Sequence, residues 1–91
     1  MFNAFMGTIH GRVQGVGFRY YAKAKAEELN INGWVRNLPN GSVEILAHGT
    51  CAALERFMQD LKRGPIGSRV ESSDFQWFFE GKTSSRFEIR F

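Results

Sequence analysis

Residues 11–21 read GRVQGVGFRYY, and this stretch decides the fold because it joins a predicted strand to a predicted helix. The strand is predicted over residues 6–13. The segment 14–17 has two glycines that bracket one small apolar residue, which favours a tight backbone turn over regular structure. The helix is predicted over residues 18–29, because apolar residues recur there at helical spacing: Phe18, Ala22, Ala26 and Leu29.

Capping residues mark the ends of this helix and of a second one. Asn30 follows the first helix, where it is expected in the left-handed conformation that asparagine tolerates. Thr50 is the predicted N-cap of the second helix, and Gly64-Pro65 stops it. The second helix also has an apolar stripe at i, i+3, i+4 and i+7, predicted to face the core: Leu54, Phe57, Met58 and Leu61.

Four further segments are predicted to be strands. Residues 32–38 and 42–48 are joined by the hairpin turn Pro39-Asn40-Gly41. The last two strands, residues 70–79 and 86–91, are separated by Gly81. The first of these places three aromatic residues on one side: Phe75, Trp77 and Phe79.

This order of elements predicts an α+β fold. Each amphipathic helix must bury its apolar stripe, and two helices packed on one face of an antiparallel sheet do so. We therefore predict a ferredoxin-like α/β sandwich, with four to five antiparallel strands in the order βαββαβ plus one strand. A chain of 91 residues fits one domain, so residues 1–91 are assigned to it.

Charge and cysteine content narrow the class of protein. The net charge of +3 favours anionic ligands without identifying nucleic acid. Cys51 is the only cysteine, which rules out an intrachain disulfide and fits a reducing compartment. The first ten residues lack a secretory pattern, and no apolar stretch approaches the ~18 residues of a membrane span. We expect a cytoplasmic protein without membrane association, and a monomer as the simplest state.

The glycine loop has the chemistry of an anion site. A loop between a strand and a helix exposes main-chain N–H groups at the helix N-terminus, where the helix dipole favours negative charge. Arg19 lies in the first turn, and its guanidinium can bind a phosphate bidentately. The Walker and dinucleotide-binding patterns do not match the loop. The loop alone leaves one alternative open: a glycine turn beside a surface arginine that binds no ligand.

Two longer motifs resemble those of the acylphosphatase family. The first is an aliphatic residue, x, Gly, x, Val, Gln, Gly, Val, x, Phe or Met, Arg, and residues 9–19 match every position. The second motif matches at Gly33, Trp34, Val35, Asn37, Gly41, Val43 and Gly49. The resemblance extends from about residue 6 to residue 91. The chain departs from the family at Asn30, often glycine, and at His48, often acidic, where we expect an effect on the surface only.

The resemblance implies a hydrolase that cleaves small-molecule acyl phosphates without a metal or other cofactor. Arg19 would be the catalytic arginine that holds the phosphoryl group, and Asn37 would orient the attacking water. Inorganic phosphate would be the product and a competitive ligand, and no nucleic acid is expected as a partner. The implied phosphate-binding residues are Gln14, Gly15, Val16, Gly17, Phe18 and Arg19.

Two alternatives use the same fold class. An RNA-recognition module would stack bases on aromatics of its central strands, but residues 42–48 contain no aromatic residue. A catalytically silent regulatory domain is the second, although Arg19 and Asn37 are both present. No metal site is predicted, because the spacing of His10, His48 and Cys51 is not that of zinc ligands. Cys51 is interpreted as a buried or incidental thiol. Neither of the two tyrosines that follow Arg19 is assigned a catalytic role.

Overall fold

Within residues 2–80 and 84–91, which the computed structural model describes, the chain forms five strands and two helices. The helices are α1 (Phe18–Glu28) and α2 (Cys51–Arg63). The strands are β1 (Phe2–Arg12), β2 (Asn32–Asn37), β3 (Val43–Gly49), β4 (Arg69–Glu80) and β5 (Phe87–Arg90). No helix within these ranges is long and apolar enough to cross a membrane.

The strands form one sheet in the order β4-β1-β3-β2-β5. The pairs β1–β3, β1–β4 and β2–β3 are antiparallel, but β2–β5 is parallel, so the sheet is mixed rather than wholly antiparallel as predicted. The reason is topological. The last residues of β4 lie at the same end of the sheet as the first residues of β2. A strand that follows β4 and pairs with β2 at the other edge therefore starts beside the start of β2 and runs parallel to it. The α+β fold with five strands is confirmed.

The predicted caps are present. Asn30 has a positive φ of 56°, and Thr50 accepts a hydrogen bond from the Ala53 N–H at 3.1 Å. The β2–β3 turn closes with a hydrogen bond from the Gly41 N–H to the Leu38 carbonyl, 3.1 Å.

The largest error in the strand bounds is at β1, which begins at Phe2, four residues before the predicted start. The predicted break at Gly81 lies outside the described residues.

The core lies between the two helices and the covered face of the sheet. Phe5 is its aromatic centre, with ring centroids 5.1 Å from Phe75, 5.7 Å from Trp77 and 6.1 Å from Phe57. The three β4 aromatics share one face as predicted, but exposure rises along the edge strand, to 44% at Trp77 and 71% at Phe79. The other fully buried large side chains are Phe18, Phe87, Ile9, Ile31, Ile45, Leu54, Leu61, Val13, Val35 and Val43.

We expect Phe5→Leu to lower the free energy of unfolding by about 1–2 kcal/mol, because it removes buried area and the edge contacts with Phe75 and Trp77. Urea unfolding measures the change. Phe79→Leu is the matched control on the same sheet face, and its largely exposed ring should make the loss less than about 0.5 kcal/mol. Equal losses in the two variants would contradict this description of the core.

Candidate active site

The glycine loop turns through two left-handed residues before α1 begins. Gly15 has φ 74° and Gly17 has φ 76°, and Gly17 is the N-cap of α1. A Cβ at either position would meet no other atom, so conformation rather than space requires glycine there. The loop amides are therefore held away from the rest of the fold, and no side chain at the two glycines blocks a ligand that approaches them.

The amides of this loop are left without protein acceptors. Within the described ranges, no hydrogen bond is donated by the main-chain N–H of residues 15–20, and the first helical bond runs from the Tyr21 N–H to the Gly17 carbonyl at 3.0 Å. Helix N-termini carry unpaired N–H groups and a partial positive charge. Unpaired amides at this helix start form a site with the chemistry to bind an anion.

A small cavity lies in front of these amides. Its volume is about 100 Å³, about that of three liquid water molecules, and comparable with the four heavy atoms of a phosphoryl group. Tyr20, 62% exposed, stands at the rim. The other lining residues are Val13, Gly15, Gly17, Phe18, Arg19 and Asn37.

The guanidinium of Arg19 is held by the end of the chain. Its Nη1 donates to the Arg90 carbonyl at 3.1 Å, and its central carbon lies 4.7 Å from the centre of the Phe91 ring. No carboxylate among the described residues forms an ion pair with Arg19. A guanidinium has five N–H donors, so Arg19 keeps its charge and most of its donors for an anion in the cavity.

Gln14 connects the loop to the β2–β3 hairpin. Its Nε2 donates to the Leu38 carbonyl at 2.8 Å and to the Ser42 carbonyl at 2.9 Å. Both hydrogens of the side-chain amide are therefore used within the protein. Gln14 and Val16 are the two loop residues that do not line the cavity, so the direct phosphate contact predicted for them stays a prediction.

Asn37 reaches the cavity from the neighbouring strand. It is the last residue of β2, opposite Val43, and is partly buried. Its side-chain amide makes no hydrogen bond to any residue that the structure describes, so both its donor and its acceptor are available. The structure thus brings Arg19 and Asn37 together around one cavity, although they are 18 residues apart in the sequence.

The sequence profile of the acylphosphatase family matches residues 5–89. The chain belongs to the acylphosphatase family. A curated acylphosphatase from Thermus thermophilus is 51% identical over 72 residues, 79% of this chain and 82% of that protein. The resemblance inferred from the two motifs is confirmed.

Solved structures agree with this assignment. An acylphosphatase from Bacillus subtilis superposes with a TM-score of 0.95 at 36% identity, covering 98% of this chain and 99% of that one. The structure of full-length HypF, in its phosphate- and nucleotide-bound form, matches with a TM-score of 0.85 at 25% identity, and there 99% of this chain corresponds to 12% of the larger chain. Together, these similarities support acylphosphatase function, and hence a hydrolase, on a ferredoxin-like fold.

Two residues of this acylphosphatase site have no assigned role in the sequence motifs. Tyr20 lines the cavity rim, and Phe91 stacks on Arg19 from 72 residues away along the chain. The contact between Phe91 and Arg19 has no local sequence signal, because the sheet topology creates it. Tyr21, in contrast, donates its hydroxyl to the Asp60 carbonyl at 2.8 Å, and burial raises its pKa, so it serves the packing of the two helices.

The residues considered for metal binding are dispersed. His48 was expected to matter only at the surface, but it is 95% buried and pairs with Glu80 at 2.7 Å, at the opposite end of β3 from the cavity. His10 pairs with Asp74, and Cys51 is exposed rather than buried. Within the described ranges, no three histidine, cysteine or acidic side chains are grouped so as to hold a metal ion.

We expect Gln14→Glu to destabilise the acylphosphatase more than Gln14→Ala does. A carboxylate cannot donate to the two carbonyls and would be repelled by them, whereas alanine only removes two hydrogen bonds. The expected losses in unfolding free energy are about 2–3 kcal/mol for glutamate and about 1–2 kcal/mol for alanine. Denaturant unfolding measures both. A glutamate variant as stable as wild type would contradict the role of Gln14 as a connector.

Proposed function

We propose that this acylphosphatase hydrolyses the carboxyl–phosphate bond of acyl phosphates at the cavity between the glycine loop and Asn37. Main-chain amides of residues 15–18 and the Arg19 guanidinium hold the phosphoryl group, and Asn37 orients the water. One observation carries the proposal. One cavity of phosphoryl size is lined by loop residues whose amides donate to no described residue, by Arg19, which pairs with no described carboxylate, and by Asn37, whose side-chain amide bonds no described residue.

The reaction makes few demands on acid–base groups. The oxygen of water bonds to phosphorus, the bond between phosphorus and the acyl oxygen breaks, and its electron pair leaves with the carboxylate. The conjugate acid of that leaving group has a pKa of about 4, so it departs as an anion at neutral pH without a general acid. The phosphoryl oxygens accept the proton of the water. The products are a carboxylate and inorganic phosphate, and inorganic phosphate competes with the substrate for the same cavity.

Charge stabilisation therefore supplies most of the rate. Phosphoryl transfer passes through a loose transition state with negative charge spread over the equatorial oxygens. Fixed N–H donors and a guanidinium meet that charge without reorganising, and loss of one such donor typically lowers the rate by ~10²–10³. The Arg90 carbonyl and the Phe91 ring hold Arg19 at the cavity before substrate arrives.

Asn37 suits the task of holding water. Its amide oxygen accepts a hydrogen bond from the attacking water, and the neutral amide adds no negative charge to the cavity. An aspartate in the same place would repel the dianionic substrate. Asn37 lines the same cavity as the loop glycines, which supports an approach of the water to a phosphoryl group that the loop amides already hold.

A catalytically silent domain is the second candidate, because the HypF match shows this fold within a much longer chain. The shared cavity of Arg19 and Asn37 favours the enzyme. Hydrolysis of benzoyl phosphate at neutral pH with a chelator present decides between them, and no turnover would favour the silent domain. We also propose that the protein acts as a monomer in the cytoplasm and has no nucleic-acid partner.

Arg19→Ala should lower kcat/KM for benzoyl phosphate by at least ~10²–10³, because it removes a full charge as well as hydrogen bonds from the transition state. It should also weaken the binding of inorganic phosphate, measured by titration calorimetry. Arg69→Ala, at an exposed position in β4, is the matched control and should leave both quantities within about twofold. Activity near the wild-type level in the Arg19 variant would refute its assigned role.

Asn37→Ala should separate catalysis from binding. We expect kcat to fall by ~10²–10³, since a preorganised polar contact to the attacking water is lost, while the Kd for inorganic phosphate changes less than about threefold because Asn37 does not hold the phosphoryl group. Steady-state kinetics and calorimetry give the two values. Asn32→Ala, at the other end of β2, is the control. If phosphate binding and kcat fell together, Asn37 would belong to the phosphate cradle and not to the water.

A further inference from the structure

A second and larger depression adjoins the cavity. It lies between α1 and β5 and has a volume of about 490 Å³. We call it the α1–β5 groove, and the lining residues relevant here are Tyr20, Lys23, Arg86, Glu88, Ile89 and Phe91. The depression is wide open to solvent, so a ligand there would contact one wall rather than be enclosed.

The groove is continuous with the phosphoryl cavity. Tyr20 lines both depressions, so they adjoin at this residue. Phe91 lines the groove, and its ring contacts the Arg19 guanidinium that lines the cavity. A molecule with its phosphoryl group in the cavity therefore has the groove beside it.

Volume determines which part of the substrate enters the groove. The cavity of about 100 Å³ is comparable in size with a phosphoryl group, so a ring attached to that group extends beyond it. The acyl group of such a substrate must then lie outside the cavity. The α1–β5 groove, lined by described residues, shares Tyr20 with the cavity.

The charges in the groove are already paired. The Lys23 ammonium lies 2.8 Å from the Glu27 carboxylate and also donates to the Phe87 carbonyl at 3.1 Å. The Arg86 guanidinium lies 2.9 Å from the Glu88 carboxylate. These pairs reduce the attraction for an anionic acyl group.

The exposed apolar surface of the groove is aromatic. Tyr20 is 62% exposed and Phe91 is 91% exposed, and Ile89 lies between them and the core as a partly buried side chain. Aromatic rings prefer edge or offset contacts with other rings and gain free energy beyond that of the buried area. The groove therefore offers more to an aromatic ring than to a methyl group.

We propose that the α1–β5 groove binds the acyl group of the substrate and favours apolar, aromatic acyl groups, with Tyr20 as a specificity-determining residue. This rests on the proposed function, since it places the phosphoryl group in the cavity. Acyl phosphates with an uncharged ring, such as benzoyl phosphate, are then preferred over acetyl phosphate and over substrates whose acyl group carries a carboxylate.

The test compares benzoyl phosphate with acetyl phosphate. In wild type, kcat/KM should be higher for benzoyl phosphate, and Tyr20→Ala should lower the benzoyl-to-acetyl ratio of kcat/KM by about 3–10-fold, as expected for one lost aromatic contact. Tyr20→Phe should keep the ratio. Phe79→Ala truncates an aromatic ring that is similarly exposed but does not line the groove, and it should leave the ratio unchanged.

A binding measurement keeps the test independent of turnover. The amide NMR signals of Tyr20 and Ile89 should both shift on addition of benzoylphosphonate, a non-hydrolysable analogue, whereas acetylphosphonate and inorganic phosphate should shift the loop amides but not Ile89. If wild type hydrolyses neither substrate, the proposed function fails, and a shift at Ile89 still supports the groove. If Tyr20→Ala leaves the ratio unchanged, or if benzoylphosphonate leaves Ile89 unshifted, the groove proposal is overturned.

Discussion

The side-chain amide of Gln14 spans the gap between the glycine loop and the β2–β3 hairpin, donating one hydrogen to the Leu38 carbonyl and one to the Ser42 carbonyl. These two carbonyls flank the turn of the hairpin, so one residue sets the position of the whole turn relative to the loop. Asn37 immediately precedes that turn. In the proposed mechanism, water attack depends on the distance between the loop amides and the Asn37 side chain, and Gln14 controls that distance without lining the cavity.

The other half of the site is positioned by the end of the chain. Because β5 pairs in parallel with β2, its last residues arrive beside the start of α1, where the Arg90 carbonyl and the Phe91 ring contact Arg19. An arginine on a short exposed helix turn has many rotamers, and fixing it loses side-chain entropy of about 2 kcal/mol. Because Arg90 and Phe91 contact Arg19 in the folded protein, part of this entropy is lost during folding, before any substrate binds.

The same arrangement separates two kinds of recognition. The cavity has amides and a guanidinium, and it suits the phosphoryl group common to every acyl phosphate. The groove has aromatic and aliphatic side chains with paired charges, and in the proposed binding mode it contacts the acyl group, the part of the substrate that varies. Tyr20 lies at the boundary, so a change at this one position can alter selectivity without a change in the chemical step. A bond with a good carboxylate leaving group permits this division, because the groove does not need to supply an acid.

The sequence by itself determined the local structure and the chemical groups of this protein. Glycine spacing and the caps at Asn30 and Thr50 depend on contacts within a few residues, so they could be predicted, as could the presence of Arg19 and Asn37 in the family motifs. Only the tertiary structure decided that β5 runs parallel to β2, that Phe91 lies against Arg19, that Gln14 bonds the hairpin and that His48 is buried. The physical reason is that each of these features joins residues far apart along the chain, and their meeting depends on which strands pair and in which direction, which no local pattern records.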